Sequence, residues 1–221
     1  MNGSPIALLT PEFFDRDPRK VARALLGKLL IRKLGRRRLI GRIVETEAYL
    51  GSGDAAAHSA AGKTARNAVL WGPSGLAYVY FIYGNYYCLN VSCLPDGVAG
   101  GVLFRAFEPL EGIEEMAAAR GIVWGRAPSP VRAERSSAVA AMAQNFILRK
   151  ISSGPGRMCE AMGVTRERDN GKSFVSSKSD LQLADDGFRV RKVLVTKRVG
   201  ITKSADEPLR FLIADNSFVS G

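Results

Sequence analysis

Ala77-Tyr78-Val79-Tyr80-Phe81-Ile82 and Tyr86-Tyr87-Cys88-Leu89-Asn90-Val91-Ser92-Cys93-Leu94 stand on either side of a short Tyr83-Gly84-Asn85 link. Both runs are dense in aromatic and β-branched residues, and Gly84-Asn85 suits the backbone of a tight reversal. The stretch therefore reads as an antiparallel hairpin. Pro95-Asp96-Gly97 supplies the next turn, and Val102–Phe107 reads as a third strand of the same sheet. Working outward, Leu29–Ile31 and Leu39–Tyr49 read as strands around a tight basic turn at Gly35-Arg36-Arg37. Leu181–Leu183, Val190–Val199 and Leu209–Ile213 alternate like strands in the C-terminal third. Helix signals lie between them. Thr10 caps Pro11-Glu12, and Asp17-Pro18 precedes a helix whose apolar face is Val21, Ala22, Leu25 and Leu26, with Gly27 as its stop. Leu110–Arg120, Ala138–Lys150 and Arg157–Met162 are further helices. The expectation is an α+β fold: residues 1–221 form a single domain around a curved antiparallel β-sheet, with peripheral helices and a protruding β-hairpin. Gly51–Gly75 reads as a long loop, and residues 121–149 as a long basic insertion.

A chain of 221 residues with 46% apolar content can bury one core of useful size. It contains no apolar run of the ~18–20 residues that a membrane-spanning helix needs. Met1-Asn2-Gly3-Ser4-Pro5 lacks the regions of a secretory signal. A cytoplasmic location is the expectation, nucleoid-associated in a bacterium or nuclear in a eukaryote. The net charge of +11 favours a polyanionic partner. From Arg19 to Arg42 there are ten Lys and Arg residues and no acid, a clustering expected of a nucleic-acid footprint. Cys88, Cys93 and Cys159 make no CxxC pair, and His58 is the only histidine, so the expectation is no metal, no cofactor and no structural disulfide. The three thiols read as small buried hydrophobes.

Chemistry concentrates in two places. Glu45 and Glu47 are two apart on a predicted strand and share one face. With Asp54 they could hold a metal, as in many nucleases. Alternatively Glu47, at the strand end before the long loop, acts alone as a general base. His58 lies in that loop. On the hairpin, Tyr78 and Tyr80 share one face, while Phe81 and Tyr87 read as core fillers. Tyr83 at the tip reads as a wedge or stacking platform for nucleic acid.

Longer blocks sharpen this. Ile43-Val44-Glu45-Thr46-Glu47-Ala48-Tyr49-Leu50, Ala57-His58-Ser59, Arg66-Asn67, Tyr78-Val79-Tyr80 with Ile82-Tyr83-Gly84, Asn90-Val91-Ser92, and Leu103-Phe104-Arg105-Ala106 with Glu108-Pro109 occur in this order. Ser153-Gly154-Pro155-Gly156, Arg198-Val199-Gly200-Ile201 and Pro208-Leu209-Arg210-Phe211 follow. Together, over roughly Leu8 to Val219, they resemble the alkyladenine (3-methyladenine) DNA glycosylase family.

The resemblance implies a base-excision-repair enzyme that flips alkylated or deaminated purines out of duplex DNA and hydrolyses the N-glycosidic bond. Glu47 matches the general base that activates water. Arg105 matches an arginine that helps hold the water, and the carbonyl of Val199 is a candidate third contact. Tyr49, His58 and Tyr80 match the walls of the base pocket, and Leu103 lines it. Asn90 matches the asparagine that opposes normal guanine, and Tyr83 matches the intercalating residue. No lysine matches a Schiff-base nucleophile, Lys63 being the nearest, so the implied enzyme is monofunctional. Its expected partner is double-stranded DNA with damaged purines, bound by a monomer. The segment from Gly121 to Arg149 matches none of the family's motifs. Two other readings make different predictions: a metal-dependent nuclease built on Glu45, Glu47 and Asp54, and a non-catalytic nucleic-acid-binding module built on the basic hairpin.

Overall fold

A computed structural model describes residues 5–82, 84–124 and 137–220. Its frame is a curled antiparallel sheet with strand order β1-β7-β2-β3-β6-β5-β4. These strands are β1 (Ala7–Leu8), β2 (Leu29–Leu34), β3 (Arg37–Tyr49), β4 (Ala77–Ile82), β5 (Tyr86–Ser92), β6 (Gly101–Glu111) and β7 (Leu181–Asp185). Two more, β8 (Val193–Thr196) and β9 (Arg210–Ile213), pair with each other, and β9 joins β3. The helices among the described residues are α1 (Pro11–Phe14), α2 (Pro18–Leu25), α3 (Ile113–Ala119), α4 (Ser137–Ser152), α5 (Pro155–Ala161) and α6 (Arg166–Asp169). None is long and apolar enough to cross a membrane.

The expected α+β fold is the observed one, with local differences. Thr10 occupies the cap position of α1, but its side chain caps nothing, whereas Asp17 accepts the Arg19 amide at the start of α2. The expected helix from Leu110 begins only at Ile113, because β6 continues through Glu111 in register with β3. The expected strand over Val190–Val199 shortens to Val193–Thr196, the part that pairs with β9. Of the predicted basic insertion, residues 125–136 lie outside the described residues.

Strand β3 organises the molecule. Its first half pairs with β2 across the Gly35-Arg36 turn, where Gly35 takes a positive φ of 61°. Its second half loses β2 and gains β9, with Glu45 opposite Leu212 and Glu47 opposite Arg210. Along its other edge it keeps β6 throughout. Register irregularities fall between Ile43 and Thr46. Bulges of this kind bend a strand and re-aim its side chains. On one face of the sheet, α2, α3 and α5 bury the main core, which includes Leu25, Leu30, Val79, Phe104, Phe107, Met116, Met158 and Phe174. Each such side chain contributes roughly 1.5–3 kcal/mol by leaving water. This frame leaves the carboxyl-terminal end of β3 beside β9, β6 and the hairpin of β4 and β5.

The run of ten cations meets a different fate from the one expected. Six of them are matched to acids within the chain: Arg19 to Asp17, Lys28 to Asp185, Arg32 to Asp169, Arg37 to Glu115, Arg38 to Glu111 and Arg42 to Asp186. Apart from Asp17, the acids come from distant sequence, so six members of a one-signed run became ion pairs. The run is therefore not a free cationic stripe.

Candidate active site

At the end of β3, Glu45 and Glu47 are both fully buried, and they converge on one side chain. Arg105 of β6 donates from Nε to Glu45 at 2.8 Å and places Nη1 3.1 Å from Glu47 Oε1. The expected shared face is thus real, with an arginine between the two acids. Glu45 also accepts from Arg210 Nε at 2.7 Å, from the Ser220 amide at 2.6 Å and from Ser220 Oγ at 2.9 Å. Its oxygens therefore receive four hydrogen bonds, about the full capacity of a carboxylate.

Glu47 is held differently. Oε1 accepts the Val199 amide at 2.8 Å, and Oε2 accepts the Tyr49 hydroxyl at 3.0 Å. With the Arg105 contact that makes three donor groups among the described residues, one fewer than Glu45 has. Val199 thus meets Glu47 through its N–H group. Burial lowers Arg105 on its own, but the Glu47 and Glu45 carboxylates hold it above its ordinary value. Burial, then the negative charge of Glu47, push Tyr49 well above the usual phenol range, so it remains a donor.

Tyr49, Arg105 and Val199 also line a cavity of about 370 Å³. Glu47 lies directly behind the wall they form. His58, Tyr78, Tyr80, Asn90 and Leu103 line the same cavity, so every expected pocket residue is brought to one place. Tyr80 packs on His58 with ring centroids 4.3 Å apart. His58 Nδ1 lies 2.8 Å from the buried Tyr78 hydroxyl, which fixes the ring. Burial, with the Arg66 charge nearby, lowers the His58 pKa, so the imidazole is neutral at neutral pH. Asn90 donates from Nδ2 to the Tyr78 carbonyl at 3.2 Å, which orients its amide.

The loop behind β3 is more structured than its composition suggests. A Cβ on Gly51 would sit 2.0 Å from the Ala99 carbonyl, so only glycine fits where the loop leaves the strand. Asn67 then donates to the carbonyls of His58 and Gly62 at 2.9 and 3.0 Å and accepts the Thr64 amide at 2.7 Å. Its one side chain thereby closes the turn that carries His58. Asp54, considered above as a third metal ligand, instead forms a bidentate pair with Arg198 at 2.5 and 2.9 Å. Both side chains are fully buried. Arg198 also donates to the Ala48 carbonyl at 3.1 Å and lies 4.7 Å from the Tyr49 ring centre. This pair pins the residue next to Val199 against the end of β3, which sets the amide on Glu47. The geometry that a nuclease would need, with Glu45, Glu47 and Asp54 around one ion, is not formed. Among the described residues no three His, Cys, Asp or Glu side chains come together.

Sequence reading missed three contributors. Asn67 and Arg198 stood inside the quoted blocks without a role, and Ser220 carried no signal at all. Cys88, expected only to fill space, lines the cavity, and burial pushes its thiol up to about 11. Phe81 is a correction. It is 46% exposed and packs on Tyr87 at 5.1 Å with the rings tilted, because it lies near the end of β4, beyond the core that buries Val79 on the same face. Tyr83, expected to act as a wedge, lies outside the described residues.

Comparison with known proteins agrees with this geometry. Residues 12–217 match the family model for methylpurine-DNA glycosylase (MPG). A protein of Koribacter versatilis, named "Putative 3-methyladenine DNA glycosylase", is 60% identical over 100% of this chain and 98% of its own length. Proteins with the same name from Burkholderia lata and Clostridium perfringens are each 40% identical. The former alignment covers 98% of this chain and 93% of the relative, the latter 95% and 97%. A match across nearly the whole chain, by a sequence whose buried acids, arginine and aromatic cavity converge on one site, places this protein in the methylpurine-DNA glycosylase family.

Proposed function

We propose that the protein is a monofunctional glycosylase that releases 3-methyladenine, 7-methylguanine, hypoxanthine and ethenoadenine from duplex DNA, acting as a monomer and without a cofactor. The observation that carries this reading is Glu47. It is a buried carboxylate held by the Val199 amide, Arg105 and Tyr49 against an aromatic cavity, with one acceptor position left for a water. A cavity of about 370 Å³ falls within the range of small-molecule sites, ~300–1,000 Å³.

The target base must leave the duplex before it can reach this cavity, at a cost of a few kcal/mol. Stacking on an aromatic ring returns about 1–3 kcal/mol per base, and Tyr49, Tyr80 and His58 are the rings available. Tyr83 would fill the gap left in the duplex. Alkylation at N3 or N7 makes the base cationic, which favours both stacking against electron-rich rings and departure. As the glycosidic bond breaks, its electron pair leaves with the base, and the sugar carbon develops positive charge. Glu47 stabilises that charge, takes a proton from the water, and lets the water oxygen bond to the sugar carbon. The product is an abasic site in an intact strand. Arg105 and the Val199 amide hold Glu47 in place for this step. Asn90, oriented by Tyr78, stands where it opposes the amino group of normal guanine.

The test is base release from a panel of single-lesion duplexes in EDTA, with abasic sites revealed by alkali. Wild type is expected to release base, and Glu47→Gln to be slower by ~10²–10⁴-fold in single turnover. Wild-type speed in Glu47→Gln, or strand cleavage that EDTA abolishes, would sink the proposal.

A further inference from the structure

Glu45 takes no part in the proposed chemistry, yet its oxygens accept four hydrogen bonds. The donors around it come from β6, β9 and the segment that follows β9. That segment is anchored first. Phe218 is buried against Val44 of β3 and Ala106 of β6, its amide is accepted by Asn216 Oδ1 at 2.9 Å, and Ser153 Oγ donates to the Val219 carbonyl at 3.3 Å. These contacts deliver Ser220 to Glu45, where its amide and hydroxyl both donate. Arg210 closes the arrangement by donating from Nη2 to the Ser220 carbonyl at 2.5 Å and from Nε to Glu45 at 2.7 Å.

Arg105 is the point of contact between this arrangement and Glu47. Its Nε is on Glu45 at 2.8 Å, its Nη2 donates to Ser220 Oγ at 3.3 Å, and its Nη1 faces Glu47 at 3.1 Å. Two of the three guanidinium nitrogens are therefore spent on fixing where the third points. A long arginine side chain has many rotamers, and a planar fork held at two corners has one.

We infer that Glu45, Arg210 and Ser220 are positioning residues for Arg105, so that the segment after β9 sets the rate at which Glu47 works. This rests on the proposed glycosylase function. Ser220 does not touch Glu47, and the one cavity-lining residue it bonds is Arg105, which gives its effect a route to Glu47.

The experiment is single-turnover release of hypoxanthine from duplex DNA at saturating full-length enzyme, where the rate constant does not depend on the fraction of molecules that are active. Misplacing a catalytic group by about 1 Å can cost on the order of 100-fold. Ser220→Ala is expected to lower the rate constant about tenfold, with duplex Kd unchanged. Ser220→Thr, which keeps the hydroxyl and the amide, is expected to restore it. In an Arg105→Met background, Ser220→Ala is expected to add nothing, because both changes act on one group. A wild-type rate in Ser220→Ala, or the same tenfold loss when Arg105 is already gone, would overturn the inference. Glu47→Gln, run beside these variants, separates the two levels. If Glu47→Gln is fast, the glycosylase reading itself fails. If Glu47→Gln is slow and Ser220→Ala is fast, only the positioning role fails.

Discussion

Two clusters of buried carboxylates and cations sit in this fold, made of the same materials and put to different ends. At the end of β3, Glu45 and Glu47 meet Arg105 and Arg210. Elsewhere, Arg32 of β2 forms a fully buried bidentate pair with Asp169 of α6, at 3.0 and 2.7 Å. Asp169 also takes the Thr165 amide and the Lys172 ammonium, and Asp180 ties in Arg168 and Lys172. Asp169 thus accepts from four donor groups, none on a residue that lines the cavity, whereas Glu47 accepts from three, all on residues that do. Burial of a charge is therefore no mark of catalysis by itself. What distinguishes the candidate site is a carboxylate with fewer donors, held behind the wall of a cavity.

That contrast can be broken from either side. The largest expected effect is on the closed cluster. Asp169→Ala removes the bidentate partner of a fully buried arginine, leaving it Asp180 at 3.2 Å, and should lower stability by about 3–5 kcal/mol, read as a fall in the denaturation midpoint. Its rate constant in single turnover should stay near wild type as long as the chain is folded. A large loss of rate without loss of stability would erase the distinction between the clusters. Next, Tyr80→Ala removes a ring from the cavity wall and should weaken binding of lesion duplex by ~1–3 kcal/mol, measured as Kd against undamaged duplex. Equal loss for both duplexes would show that the ring is not in the base pocket.

A smaller effect comes from pH. Burial alone raises Asp180, but hydrogen bonds from Lys172 and Arg168 hold it down at about 2. A carboxyl whose folded value is depressed contributes stability that is present above its ordinary value near 4 and is lost as pH falls toward 2. Because this side chain is more than a third exposed, solvent screening limits the contribution to below ~1 kcal/mol. Denaturant midpoints of wild type and Asp180→Asn should therefore converge between about pH 4 and pH 2. A gap that persists at pH 2 would point to a different cause. The smallest effect concerns the basic hairpin. Arg38 is already paired with Glu111 at 3.0 and 2.8 Å. Arg38→Gln should change the salt dependence of duplex binding by much less than the ~0.9 in slope expected for losing one phosphate contact. A full unit of slope would restore this hairpin as a nucleic-acid surface.

Much of the fold and the site was legible in sequence, for identifiable reasons. Strand β4 was read with its observed limits because five aromatic and branched residues follow Ala77 and end at a glycine turn. The apolar face of α2 was legible because Val21, Ala22, Leu25 and Leu26 recur at helical spacing, and all four are buried. Glu47 could be chosen over Glu45 by its place at a strand end and by resemblance. The number of donors that each acid receives could not be read from sequence.

Local pattern by itself determined the strands, the main helix, the hairpin and the acids and rings available for chemistry, because each depends on neighbours a few residues apart. Tertiary structure alone decided how charges were used. Six of the ten cations in the basic run from Arg19 to Arg42 were paired with acids, some as far away as Asp185 and Asp186. Glu45 was saturated by a serine 175 residues further on, and Glu47 was set against Val199 from 152 residues away. Electrostatic partners are chosen by distance in space, which falls steeply across a few ångströms and bears no relation to separation along the chain.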